Sequence, residues 1–177
     1  MDMAEAQEAL LLVAMSELGA EGVVRVAHNN SYHAIMGVGV KLLRGEILYR
    51  KGEHDAAFTT LREAAALEDA LLYDEPWGWM TPVRHALGGL LLEQGRADEA
   101  AVVFRADMSG VDAEGKKPRP NRHPRNVWSL QGLMDCLAAG AAEAEEGEIN
   151  RVGAALIAAR AAAGALSLRK SCGCCAE

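Results

Sequence analysis

The residues best equipped for chemistry are crowded into one stretch, Tyr73-Asp74-Glu75-Pro76-Trp77-Gly78-Trp79, followed shortly by Arg84 and His85. Two carboxylates near an imidazole are the parts of an acid–base pair, and a loop that leads into a helix N-terminus is a place where an anion can bind. The same residues also suit a brace between helical units. Pro76 and Pro82 would stiffen the connection, Trp77 and Trp79 would fill an interface, and Arg84 would pair with an acid. The brace is the favoured reading, because the stretch does not complete a set of nucleophile, base and orienting group.

Three thiols, Cys172, Cys174 and Cys175, close the chain. Thiolates bind soft metals or take acyl groups, and Cys174 stands fourth from the end as in a prenylation box. Glu177 is a poor last residue for prenylation, and one tail does not supply four thiolates unless Cys136 or a second chain joins. A reduced, frayed tail over 171–177 is therefore expected, with no metal bound. His28, His33, His54, His85 and His123 are scattered without the paired spacing of a helical zinc site, so they read as surface or helix-end histidines. Lys116, Lys117, Arg119, Arg122 and Arg125 make the loop over 110–126 a basic island. It lacks the interleaved aromatics that stack on bases, and it reads as a solvated insertion held open by prolines. No Gly-rich loop precedes a Lys-Ser or Lys-Thr pair, so no nucleotide cofactor is implied.

The elements that must position these residues are helices. Half of the 177 residues are apolar, 24% are charged, aromatics make up 5%, and Ala and Leu abound. That balance excludes wholesale disorder and favours helix over strand. A net charge of −7 argues against a general nucleic-acid or anionic-membrane binder. The acidic start carries no secretory signal, and 152–168 is too short and too Ala-rich to span a membrane, which points to a cytoplasmic protein, or a nuclear one. Apolar spacing predicts helices over 4–18, over 32–50 with Ser31 as N-cap, over 55–70, from Pro82 to Gln94, and over 98–107. His28-Asn29-Asn30 predicts a turn.

Two of these hairpins share a grammar. Gly45 and Gly88, Gly52 and Gly95, Ala57 and Ala100, and Leu61 and Phe104 each lie 43 residues apart. The first Gly allows close approach of the partner helix, the second takes a left-handed turn, and the Ala permits a tight crossing. Asp107 departs from the grammar, standing where Ala64 supplies a small residue. A degraded third unit opens at Pro124-Arg125-Asn126 with Trp128-Ser129-Leu130, breaks at Gly140 and resumes near Ile149. The stretch from Ala86 to Ala100 resembles the tetratricopeptide repeat, and the Tyr-Asp-Glu-Pro-Trp element resembles one found between repeats in a group of such proteins.

The resemblance implies an all-α fold, a short right-handed solenoid of helical hairpins without a sheet. Its single domain would cover 1–170, with repeats at about 40–70, 82–107 and 124–168. It implies a protein–protein interaction or scaffold module, not an enzyme, that grips a peptide or partner helix on its concave face without a cofactor. Glu46, Tyr49 and Arg50 from one repeat and His85 and Glu93 from the next would face the partner, with Trp77, Trp79 and Arg84 at one edge. The Lys and Asn with which family members clamp chaperone-peptide carboxylates are replaced by Leu42, Glu46, His85 and Gly89, so that ligand is not expected. The alternative is a small-molecule or metal-binding protein that uses the Tyr73–His85 cluster or the cysteine tail.

Overall fold

Ser31 starts the first long helix of the core. In the computed structural model, which describes residues 2–19, 24–111, 122–141 and 147–163, its Oγ accepts the Ala34 N–H at 3.1 Å. This satisfies one of the unpaired amides of the first turn. Seven helices form among the described residues: α1 (Asp2–Gly19), α2 (Tyr32–Arg50), α3 (His54–Asp69), α4 (Val83–Glu93), α5 (Ala97–Ser109), α6 (Val127–Ala138) and α7 (Glu148–Ala163). The first five lie within a few residues of the spans that apolar spacing predicts, and α6 and α7 fall in the degraded third unit. None is long and apolar enough to cross a membrane. The chain falls into two compact units, Met1–Val83 and Arg84–Glu177.

The expectation of no sheet needs correction. Val26–Ala27 (β1) and Asn30–Ser31 (β2) form an antiparallel ladder, with Val26 opposite Ser31 and Ala27 opposite Asn30. The residues expected to turn do so more tightly than a loop between helices requires. His28 takes a left-handed φ of 52°, which closes the ladder around His28-Asn29.

The 43-residue offset in the sequence appears as one turn built twice. After α2, Gly52 at φ 81° donates its N–H to Tyr49 O, and Glu53 N–H reaches Leu48 O at 3.0 Å. After α4, Gly95 at φ 73° donates to Leu92 O, and Arg96 N–H reaches Leu91 O at 2.9 Å. These paired bonds are the Schellman arrangement, which needs a left-handed residue that glycine supplies without steric cost. A third example closes α6, where Gly140 has φ 87° and Ala141 N–H bonds to Cys136 O.

Within the first unit, α2 and α3 pack as a hairpin around Leu61, which is fully buried with Ala57 and Ala64. A Cβ at Gly45 would lie 2.6 Å from Leu61 Cγ, so the side-chain hydrogen is what allows the helices to meet. In the second unit Phe104, Ala100, Leu87 and Leu91 form the equivalent core, all of them buried as the shared grammar predicts. Gly45→Ala should cost about 1–3 kcal/mol in urea unfolding, through overpacking. Gly37→Ala in the same helix, where the nearest atom to the new Cβ is Leu67 Cδ1 at 3.9 Å, should instead stabilise by roughly 0.5–1 kcal/mol through helix propensity. Equal effects at the two positions would show that backbone entropy, and not helix contact, governs both.

Candidate functional site

The densest polar cluster in the interior belongs to the second unit, and it is assembled from three helices and the chain that leads into the last of them. His85 comes from the first turns of α4, Asp107 from the end of α5, Ser129 from the first turn of α6, and His123 from the strand of chain that precedes α6. Asn126 caps α6, its side-chain oxygen accepting the Trp128 N–H at 2.8 Å, and this fixes where Ser129 points. His123 N–H donates to Asp107 O at 3.0 Å, which ties the chain before α6 to the end of α5.

Asp107 is 1% exposed and Ser129 0%, with His85 and His123 also buried. His123 Nδ1 lies 2.8 Å from Asp107 Oδ1. The Ser129 hydroxyl donates to Asp107 Oδ2 at 2.5 Å, and His85 Nε2 lies 3.2 Å from the same oxygen and 2.9 Å from Ser129 Oγ. An ionised carboxylate only accepts, so the protons sit on His123 Nδ1 and His85 Nε2. Burial alone would raise the Asp107 carboxyl. Hydrogen bonds and charge from His123 and His85 outweigh it and hold the group well below the usual carboxylate range.

Serine, histidine and aspartate are the members of a hydrolytic triad, but these are joined in a different order. A triad needs a bare imidazole nitrogen facing the hydroxyl, with the carboxylate on the other nitrogen. Here one nitrogen of His85 faces both partners, and the Ser129 proton is already committed to Asp107. The arrangement locks α4, α5 and α6 together rather than activating an oxygen. Among the described residues no group of three or more His, Cys, Asp or Glu side chains is disposed to hold a metal. Cys136 is fully buried, and its thiol is pushed up to about 12, first by burial and then by the charge of Asp135. It is therefore an inert core residue.

Sequence spacing reads His85 and His123 as surface or helix-end residues; His85 does stand in the first turn of α4, but neither is at the surface, because Asp107, at a core position, requires donors. Sequence spacing gives Asp107 and Ser129 no role in a site. The signal was available in the offset, since Leu42 and Ala64 hold in the first hairpin the positions that His85 and Asp107 hold in the second. Two apolar core positions that turn polar together point to a buried pair.

The Tyr73–Trp79 element lies in the first unit, where it is anchored to the turn between β1 and β2. Asn30 forms a two-way amide pair with Leu72, donating to its carbonyl and accepting its N–H, each at 2.8 Å. Asn30 Nδ2 also donates to buried Asp74 at 2.6 Å, and Asn29 Nδ2 donates to Tyr73 O. Tyr73 hydrogen-bonds Glu75. The Trp79 ring fills the space a side chain at Gly39 would occupy, 2.5 Å from its would-be Cβ, and its Nε1 is buried without a partner among the described residues.

The other residues expected to meet a partner divide by burial. In the first unit Tyr49 is interior, its ring 4.9 Å from His54 and edge-on to Phe58, while Arg50 is exposed with its guanidinium 5.8 Å from the Tyr49 centroid. Glu46 is half-buried, and burial raises its carboxyl, an effect that Arg50 partly opposes. Trp77 is exposed. In the second unit Arg84 and His85 are buried and Glu93 is exposed. Cys172, Cys174 and Cys175, and Lys116, Lys117 and Arg119 of the basic loop, lie outside the described residues. Compared with protein-family models, curated proteins and solved structures, the chain matches none of them.

Proposed function

We propose that the chain is a helical-repeat interaction module of the tetratricopeptide kind, which holds a peptide or partner helix and performs no reaction on it. The observation that carries this reading is the turn built three times, at Gly52, Gly95 and Gly140, with the same pair of hydrogen bonds each time. Recurrent hairpins that cannot bury an apolar face alone are the building blocks of binding arrays. The chemistry-bearing side chains are meanwhile engaged inside the fold. Asp107 binds His85, His123 and Ser129, whereas Asp74 binds Asn29 and Asn30.

Glu46, Arg50 and Trp77 in the first unit and Glu93 in the second are the side chains offered to a partner. Tyr49, Arg84 and His85 are buried and Trp79 is half-buried, so they act within the fold. A partner that brings basic and apolar groups suits exposed acids and an exposed tryptophan. The test is to identify a partner by affinity capture, purify it, and titrate it against the intact chain and against Glu46→Gln with Glu93→Gln. The double variant should melt within a degree or two of the parent but bind more weakly at low salt, and the difference should shrink as salt is added. Equal affinity at low salt would remove these acids from the binding surface.

A further inference from the structure

Helix α1 packs on α2 with one face and presents a second apolar face to solvent. Ala4, Leu11, Met15 and Leu18 are half-buried on the α2 side. Met3, Leu10 and Val13 are 83%, 62% and 55% exposed, and with Ala6, Ala14 and Glu17 they recur at helical spacing along one stripe. In the second unit a groove of about 530 Å³ runs between the start of α6 and α7, lined by Val127 and by Ala155, Ala158, Ala159, Ala162 and Ala163, with Arg125 at its rim.

We infer that these two surfaces are complementary, and that the exposed face of α1 docks into the α7 groove of a second copy of the chain, head to tail. Leu10 and Val13 are large side chains without cover, and the groove is lined by small ones that leave room for them. Glu17 lies seven positions after Leu10, as Ala162 does after Ala155, a span of about 10.5 Å in each helix. Charge sets the direction. Glu5 and Glu8 of α1 pair with Lys51 and Arg44, so the acid α1 offers beyond its own unit is Glu17, while the cation that lines the groove is Arg125. Glu17 and Arg125 are both exposed, and neither has an ion-pair partner among the described residues. With Leu10 and Val13 seated along the alanines, Glu17 falls toward Arg125. Arg125 takes a left-handed φ of 59° in the turn before α6. The two surfaces are different, so the contact is heterologous and each copy retains one free face of each kind. This inference does not depend on the peptide-binding reading above.

Sedimentation velocity across the micromolar range tests it. The weight-average mass should rise with concentration above the 18.8 kDa of one chain. Leu10→Asp and Ala158→Glu should each weaken association by about tenfold to a hundredfold, the loss expected for one buried aliphatic anchor. Both positions are exposed, so circular dichroism and melting should match the parent. The decisive sample is the equimolar mixture of the two variants. Leu10→Asp keeps its groove and Ala158→Glu keeps its helix face, so together they should form a complex of two chains and nothing larger. Glu17→Arg should weaken binding by about three- to fivefold, as for an exposed ion pair, and Arg125→Glu on the partner copy should restore it. A parent chain that stays monomeric overturns the inference. So does sensitivity to Leu10→Asp alone, which would mean α1 pairing with α1, or a mixture in which the variants ignore each other.

Discussion

Asp107→Ala should lower the stability of the second unit by about 3–5 kcal/mol in urea unfolding at pH 7, the cost of breaking a buried charged network by removing one member. The loss comes from what remains. His123 Nδ1–H, His85 Nε2–H and the Ser129 hydroxyl would be left in the interior without their common acceptor. Because the folded state holds the Asp107 carboxyl below its ordinary value of 3.8, the carboxylate contributes its full stability above about pH 4, and that contribution is lost as pH falls toward the lower folded value. Asp107→Asn cannot titrate, so its stability relative to the parent should improve as the solution is acidified through that window. A constant difference between the two proteins from neutral pH down to the acid limit would show that Asp107 does not carry the linkage.

Phe104→Ala should cost about 3–5 kcal/mol, because it empties a site whose walls are backbone. The ring of Phe104 occupies the space that a methyl at either of two glycines would take, 2.6 Å from the would-be Cβ of Gly88 on α4 and 2.3 Å from that of Gly132 on α6. Gly132→Ala alone should therefore cost about 1–3 kcal/mol by overpacking. In the Phe104→Ala background the same methyl enters an empty space, so it should be neutral or stabilising. The double-mutant cycle should give a coupling of at least about 1 kcal/mol. Additive losses would mean that the helices shift to accept the ring and the methyl independently.

The helices and turns were legible because their signals are local. Ser31 is followed by an apolar periodic run, and Gly52 and Gly95 each close one, so neighbouring residues contain the whole instruction. The buried partners of Gly45 and Gly88 were legible from the 43-residue offset. What escaped depends on residues distant in sequence that carry no periodicity of their own. Asn30 finds Leu72 and Asp74 more than forty residues away, and nothing in its neighbourhood distinguishes it from a turn asparagine. His123 likewise reads as a loop residue until Asp107 is known to be interior. Of the candidate site residues, Arg50, Trp77 and Glu93 are exposed and Glu46 is half-buried. Tyr49 sits inside because α2 packs on both α1 and α3, and His85 because Asp107 and Ser129 hold it; amphipathic spacing does not count the neighbours a helix will have.

The polar lock also bears on how a chain of similar hairpins avoids assembling out of order. Hairpins with one grammar present nearly interchangeable apolar surfaces, and mispairing between modules is a characteristic hazard of repeat architectures. Leu42 and Ala64 would tolerate many apolar neighbours. Their counterparts His85 and Asp107 would not, since a neighbour lacking His123 and Ser129 would leave the carboxylate dehydrated with a single donor. The α4–α5 hairpin therefore accepts α6 as its successor and penalises a substitute, so that one aspartate acts as an address label on an otherwise generic part.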